Sequence, residues 1–125
     1  MLIGSQSTGK TTTLNLVANE LHSKQGATLI EGKIKTGKKD GQCILQYKSS
    51  IKIGIVTAGD IGREIIYNIG YYQGRGVDVL IIANRHKANA IEMANKKGSP
   101  FIRVDKIAAN SADNDRVKNE ILTHI

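Results

Sequence analysis

Near the start of the chain, glycine, lysine and threonine occur at a spacing that suits phosphate binding. Residues 4–11 have the sequence Gly4-Ser5-Gln6-Ser7-Thr8-Gly9-Lys10-Thr11, which fits the pattern G-x-x-x-x-G-K-[ST]. Its two glycines let the backbone approach a ligand closely, and the N–H groups of such a loop and of a following helix face an anion. Lys10 adds a positive charge for the outer phosphates, and the Thr11 hydroxyl is placed to ligate Mg²⁺.

The elements that must position this motif are a strand before it and a helix after it. A short apolar run, Met1-Leu2-Ile3, precedes the motif, and Leu14, Val17, Ala18 and Leu21 follow it at helical spacing. The pattern predicts a helix from about Gly9 to Lys24 that stops at Gly26. The motif therefore lies between a strand and a helix, which is the context that its chemistry requires.

With this context, residues 1–21 resemble the P-loop NTPase superfamily, in particular its small AAA-type ATPases and its nucleoside and nucleotide kinases. The resemblance implies a nucleotide site for ATP, or another NTP, with Mg²⁺, formed by the motif and by Thr12. It implies NTP hydrolysis or phosphoryl transfer to a small acceptor, with Lys10 stabilising charge. The N-K-x-D and D-x-x-G motifs of GTPases are missing, so an adenine nucleotide is the default, and no kinase lid is evident.

The rest of the chain predicts one α/β domain over residues 1–125, with the element order β-α-β-β-β-α-β-α-β-α. Continuous apolar strands, such as residues 51–56 and 77–83, alternate with helices. This alternation predicts a mostly parallel sheet with helices on both faces, similar to the P-loop NTPase fold. A β-hairpin around Asp40-Gly41, at about residues 27–48, is either an insertion or an antiparallel edge of the sheet.

Further candidates for the site come from the rule that ligands bind at the carboxyl ends of parallel strands. The resemblance implies a metal-binding acid there, and Asp60 is the candidate, although Thr57-x-x-Asp60 equally fits a helix-capping box. The resemblance also implies a role for Asn84, whose position matches that of a polar residue in AAA-like ATPases that contacts the γ-phosphate or the attacking water. The alternative is that Asn84 is an ordinary helix N-cap. Arg63 is a candidate for stabilising charge during phosphoryl transfer, or a surface residue.

Most of the net positive charge comes from one segment. Six lysines between Lys33 and Lys52, opposed by Asp40 alone, contribute +5 of the formal net charge of +7. Such a lysine-rich hairpin either protects a sheet edge against pairing or binds a polyanion such as nucleic acid. Nothing in the sequence requires the tip of the hairpin to touch the phosphate site.

Composition limits the classes of protein that fit. The single cysteine, Cys43, excludes an intrachain disulfide and is predicted to be a small core residue. No apolar run is long enough to span a membrane and no signal peptide is evident, so we expect a cytoplasmic protein without a membrane partner. The alternative to an enzyme is a nucleotide-dependent binding module or switch, associated with nucleic acid through the lysine-rich segment.

Overall fold

The computed structural model describes residues 2–3, 9–48, 50–57, 62–84 and 104–125, with the backbone alone for residues 3, 62–66, 84 and 105. Its strands are β1 (Leu2–Ile3), β2 (Thr28–Gly32), β3 (Gln42–Tyr47), β4 (Ile51–Val56), β5 (Val79–Asn84) and β6 (Val104–Asp105). Its α-helices are α1 (Lys10–Asn19), which a π-helical turn (Glu20–Lys24) continues, α2 (Gly62–Gly74) and α3 (Ser111–Leu122). The helix predicted around residues 87–97 lies outside the described residues.

The six described strands form one sheet in the order β2-β3-β4-β5-β1-β6. Strands β4 and β5, β5 and β1, and β1 and β6 pair in parallel. Strand β3 pairs antiparallel with both β2 and β4. The carboxyl ends of the parallel strands share one edge of the sheet, and the first residues of β3 lie at that same edge because Gln42 pairs with Val56.

The predicted fold class, a mostly parallel sheet with helices on both faces, is wrong, because the sheet is mixed. The hairpin strands β2 and β3 are not an insertion beside the sheet. All six residues of β3 pair with β4, so the hairpin supplies an integral antiparallel part of the sheet. The β-hairpin predicted at about residues 27–48 is confirmed as an antiparallel edge of the sheet, with β2 as the edge strand. Its connection is longer than a turn at Asp40-Gly41, since β2 ends at Gly32 and residues 33–41 lead to β3.

Helix α1 packs its apolar stripe into the core as its spacing predicts. Leu14, Val17, Ala18 and Leu21 are each at most 2% exposed. Gly26, at φ 75°, follows the π-helical turn in the left-handed region that glycine adopts without strain. The predicted helical stripe and its stop at Gly26 are therefore confirmed.

Two clusters of buried apolar residues hold the elements together. The larger one joins α1 and α3 to the sheet and includes Leu14, Leu45 and Val117. The smaller one joins Ile44 of β3 to Ile69 and Tyr72 of α2. Adjacent residues of β3 thus enter different clusters, because successive side chains of a strand point to opposite faces.

Candidate functional site

Helix α1 begins within the phosphate-binding pattern. Gly9 precedes the first helical residue, Lys10, and has φ 81°, a conformation that favours glycine. A Cβ atom at Gly9 would also lie 3.1 Å from Asn114 Oδ1 and 3.3 Å from Ala109 Cα, so space and backbone conformation both require glycine here. The first turn carries no acidic side chain. The positive end of the helix dipole is therefore not neutralised from within the helix.

Two hydroxyl-bearing residues at this helix start have defined environments. Thr13 is fully buried and its hydroxyl donates to the carbonyl oxygen of Gly9 at 2.8 Å, which fixes the first turn. The hydroxyl of Thr11 donates to Asp40 Oδ1 at 3.1 Å. Lys10 is only 8% exposed, and lysine is rarely buried without a partner of opposite charge or a hydrogen-bond acceptor. The first turn thus carries both a largely buried lysine and a hydroxyl that is bonded to a carboxylate.

Asp40 reaches this position because of the antiparallel course of β3. Asp40 and Gly41 immediately precede β3 and therefore lie at the carboxyl end of β4. Thr57, the residue after β4, donates its backbone N–H to Gly41 O at 3.0 Å and accepts from the Gly41 N–H through its hydroxyl at 2.7 Å. The Thr57 hydroxyl also lies 3.3 Å from Asp40 Oδ1. One carboxylate oxygen consequently faces the hydroxyls of Thr11 and Thr57.

The connection from β2 to β3, which we call the basic loop (residues 33–41), is fixed against α1. The side-chain amide of Asn15, 4% exposed, donates to Gly37 O at 3.0 Å and to Lys39 O at 2.9 Å. The amide of Asn19, one turn further along, donates to Lys35 O at 3.1 Å. These bonds satisfy backbone carbonyls that would otherwise need water. They hold the loop along the same helix whose start carries the phosphate-binding pattern.

The lysine-rich segment that the sequence suggests is not one surface. Lys33, Lys35, Lys38 and Lys39 lie in the basic loop, at the end of β3 nearest α1. Lys48 directly follows the other end of β3, and Lys52 lies in β4 opposite Gln46 near that same end, where it is close to Gly76 after α2. The six residues of β3 separate the two groups by roughly 20 Å. The edge strand β2 contains no lysine, and Lys33 directly follows it with its N–H donated to Gln42 O, whereas Lys38 and Lys39 lie outside the strands.

A second loop flanks the start of α1 on the side of α3. This loop, which we call the α3-entry loop (residues 106–110), leads from β6 to α3. Lys106 has a side chain 0% exposed and pairs with Asp113 at 2.8 Å, while it also donates to Ala108 O. Asn110 caps α3 by accepting from the Asp113 N–H at 2.8 Å. Asn114 Oδ1 lies 3.2 Å from the Thr13 hydroxyl, so α3 contacts the first turn of α1.

The pKa of Asp113 lies well below its usual range. The main cause is the hydrogen bond from the Lys106 ammonium group. Burial acts in the opposite direction, and hydrogen bonds from the N–H groups of Ala108 and Ile107 and from Arg116 add to the lowering. Asp113 is therefore held as a carboxylate by groups of its own loop and helix, which indicates a structural role.

Several predicted site residues cannot be compared with the geometry. Residues Gly4, Ser5, Gln6, Ser7 and Thr8, together with Asp60, lie outside the described residues. Arg63 is the second residue of α2, and Asn84 is the last residue of β5, where it pairs with Ile3. Thr12 lies in the first turn of α1, half-buried. The structure brings together Gly9, Lys10, Thr11 and Thr12 of the predicted set.

Sequence reasoning missed Asp40 as a site residue. The hairpin pattern assigned it to a turn, whereas its carboxylate contacts the hydroxyl of Thr11. Only the pairing direction of β3 could have identified it. Cys43, by contrast, is 3% exposed, so the prediction of a small core residue is confirmed, and burial raises its pKa to about 11.

Comparisons with family models, with curated proteins and with solved structures found no match to this chain. In the part of the chain that the structure describes, no helix combines the length and apolar character needed to cross a membrane. Within the same residues, no three His, Cys, Asp or Glu side chains lie together as a metal-binding group. What the site binds has to be inferred from its own residues.

Proposed function

We propose that this chain binds a nucleoside triphosphate, ATP by default, with Mg²⁺ at the start of α1, and that it hydrolyses the nucleotide or transfers a phosphoryl group. The observation that carries the proposal is the helix that begins at Lys10 after a left-handed Gly9, within the sequence pattern G-x-x-x-x-G-K-[ST]. A helix start of this kind presents backbone N–H groups and a positive dipole to phosphate. The resemblance of residues 1–21 to the P-loop NTPase superfamily supports the same interpretation.

The residues around Thr11 fit a magnesium ion. Mg²⁺ prefers oxygen ligands and is usually bound through one or two carboxylates together with substrate phosphates and water. The Thr11 hydroxyl and the exposed Asp40 carboxylate, 3.1 Å apart, supply oxygen donors of that type. Thr11 and Asp40 would hold the ion, which would supply positive charge to the outer phosphates. Asp60, outside the described residues, stays a predicted second acid.

The residues of the chain have distinct tasks in this proposal. The backbone N–H groups of the first turn, including Thr12, bind and orient phosphate oxygens. Lys10 supplies a positive charge, which acts strongly because its side chain is largely removed from water. Catalysis of phosphoryl transfer consists mainly of positioning the reactants and of stabilising charge. The backbone N–H groups and Lys10 would perform these two tasks. Arg63 and Asn84 remain candidates for contacts with the γ-phosphate.

A second function, a nucleotide-dependent switch, is favoured by one hydrogen-bond chain. Asp40 Oδ1 accepts from the Thr11 hydroxyl in α1 and lies 3.3 Å from the Thr57 hydroxyl after β4, and so joins the helix start to the basic loop. A metal ion at Thr11 would compete for this carboxylate oxygen and thereby act on the loop. A binding module of this kind needs no turnover. Measurement of ATP hydrolysis, with and without nucleic acid, distinguishes the switch from the enzyme.

The proposal is tested by replacing Lys10 and measuring ATP affinity calorimetrically in the presence of Mg²⁺. We expect Lys10→Ala to weaken binding by about 100-fold, because a charge-assisted contact with phosphate in a site largely removed from water is lost. Lys24→Ala is the control, since Lys24 is exposed and lies beyond the far end of α1. Equal ATP affinity in wild type and Lys10→Ala would remove the nucleotide site from consideration.

A further inference from the structure

Two lysines of the basic loop serve neither a strand nor, among the described residues, an ion pair. Lys38 and Lys39 are exposed, lie outside every strand, and form no ion pair among the described residues. The loop carries four lysines and one aspartate, a net charge of +3. Because these exposed ammonium groups stay solvated, they can exchange water for an anionic ligand, and their summed positive charge attracts one. The basic loop is therefore a candidate surface for an anion.

The loop is held close to the start of α1. Asn15 binds the carbonyl groups on both sides of Lys38, those of Gly37 and Lys39. Asn15 lies four residues after Thr11, which is about one helical turn, or roughly 6 Å along the axis. An extended lysine side chain spans roughly 6 Å from Cα to Nζ. The ammonium groups of Lys38 and Lys39 can therefore approach an anion at the first turn of α1.

The orientation of the loop is set at its other end by Asp40. Because the Asp40 carboxylate contacts the Thr11 hydroxyl, the residue next to Lys39 is already at the proposed metal position. Outer phosphates that share this metal would lie beside the same stretch of backbone. Lys48 and Lys52 have no such access, since the length of β3 separates them from α1.

We propose that Lys38 and Lys39 form a second contact for the terminal phosphates of a bound nucleoside triphosphate, an inference that rests on the proposed function. The helix start and Lys10 bind the phosphate chain from one side, and the basic loop neutralises its outer end from the other. Affinity then depends on the number of phosphates, because a triphosphate extends toward the loop and a monophosphate does not. The ligand class of the basic loop is the polyphosphate of the nucleotide.

The experiment compares two double charge reversals that change the net charge equally. Lys38→Glu/Lys39→Glu alters the basic loop, and Lys48→Glu/Lys52→Glu alters the other end of β3. The affinities of ATP, ADP and AMP are measured by calorimetry at constant ionic strength for both variants and wild type. We expect the loop variant to bind ATP at least about tenfold more weakly and AMP within about twofold of wild type. The control variant should bind all three nucleotides as wild type does.

Three outcomes would overturn the inference. Equal loss of ATP affinity in both double variants would mean that the net charge of the protein acts at long range. Equal loss for ATP, ADP and AMP in the loop variant would mean that the loop does not distinguish phosphate number. Unchanged nucleotide affinity with lost binding of a single-stranded oligonucleotide would identify nucleic acid as the partner of the loop.

The inference and the proposed function fail in different ways. If Lys10→Ala abolishes ATP binding while Lys38→Glu/Lys39→Glu binds ATP normally, the nucleotide site stands and the role of the basic loop is wrong. If the wild-type protein binds no nucleotide, both are wrong. Thermal unfolding of each variant establishes that a loss of affinity does not come from a loss of the folded state.

Discussion

The two loops that flank the start of α1 differ in the burial and in the ion pairing of their lysines. In the α3-entry loop, Lys106 is buried and paired with Asp113. In the basic loop, Lys38 and Lys39 are exposed and the structure gives them no ion pair among the described residues. The basic loop is bonded to Asn15 of α1, and the helix that follows the α3-entry loop contacts Thr13 of α1 through Asn114. The difference between the two loops lies in how their lysines are compensated.

This difference distinguishes a charge that serves the fold from charges that are available to a ligand. A buried ammonium group must be compensated inside the protein, and Lys106 is compensated by a carboxylate and a carbonyl oxygen. Exposed ammonium groups stay solvated at little cost and can exchange water for a phosphate. On this argument, substitutions in the α3-entry loop should change stability, and those in the basic loop should change binding.

The largest expected effect is on stability, from the substitution Lys106→Met. It leaves Asp113, whose side chain is only 12% exposed, without its main ionic partner. Removal of one partner from a buried pair costs about 3 kcal/mol of the free energy of unfolding. Lys38→Met makes the same chemical change in the basic loop and should alter stability by less than about 0.5 kcal/mol. Urea denaturation of the two variants measures both values.

Similar losses of stability in the two variants would break the comparison, since the exposed lysine would then also serve the fold. Arg116 and the N–H groups of Ile107 and Ala108 still contact Asp113 in Lys106→Met. The expected loss is for this reason at the lower end of the range for buried pairs.

A smaller effect on stability is expected from acid. Because the pKa of Asp113 is lowered in the folded protein, its carboxylate stabilises the fold above the pKa of the unfolded chain, about 4. That stability is lost as the pH falls below about 4 toward the pKa of the folded state. The loss should be smaller than for Lys106→Met, since a protonated carboxyl group still accepts from backbone N–H groups.

Urea midpoints between about pH 6 and pH 2.5 test this expectation. Asp113→Asn should flatten the decline, because the titrating group is gone. Asp115→Asn is the matched control, as Asp115 is an exposed residue of the same helix. An equally steep decline in wild type and Asp113→Asn would show that other carboxyl groups account for the sensitivity to acid.

Periodicity predicts part of this fold because it records local burial. The stripe of α1 and the stop at Gly26 follow from side-chain spacing and from backbone freedom, and the structure confirms both. The direction of strand pairing leaves a weaker pattern, because a strand that is covered on both faces carries a continuous apolar run whichever way its neighbours point. The antiparallel pairing of β3 with β4 could therefore not be predicted from the period of these strands.

The direction of strand pairing also explains why the contact between Asp40 and Thr11 was not predicted. The rule of carboxyl strand ends selects Thr57 and the residues after it, but it applies to parallel strands. Strand β3 runs antiparallel to β4, so β3 begins at the edge of the sheet where β4 ends. This brings Asp40, which precedes β3, close to Thr11. The local preference of Asp40-Gly41 for a tight turn is overridden by bonds from Asn15 and Asn19, which are distant in sequence. Gly9, Lys10 and Thr11 were predictable because their arrangement is local.

The smallest expected change in stability, and the sharpest test of the comparison, comes from Asp40→Asn. Asp40 is exposed, and an asparagine oxygen can still accept from the hydroxyls of Thr11 and Thr57, so unfolding should change by less than about 0.5 kcal/mol. Its charge, however, is the one that a magnesium ion at Thr11 would need.

In wild type, ATP affinity should rise when Mg²⁺ replaces EDTA. In Asp40→Asn this gain should shrink by about tenfold, the usual cost of losing a group that supports a metal site. Asp113→Asn should do the reverse, with lower stability and an unchanged effect of Mg²⁺. Asp40→Asn could instead destabilise the protein as Asp113→Asn does and keep the full effect of Mg²⁺. In that case Asp40, like Asp113, stabilises the fold and does not bind the metal ion.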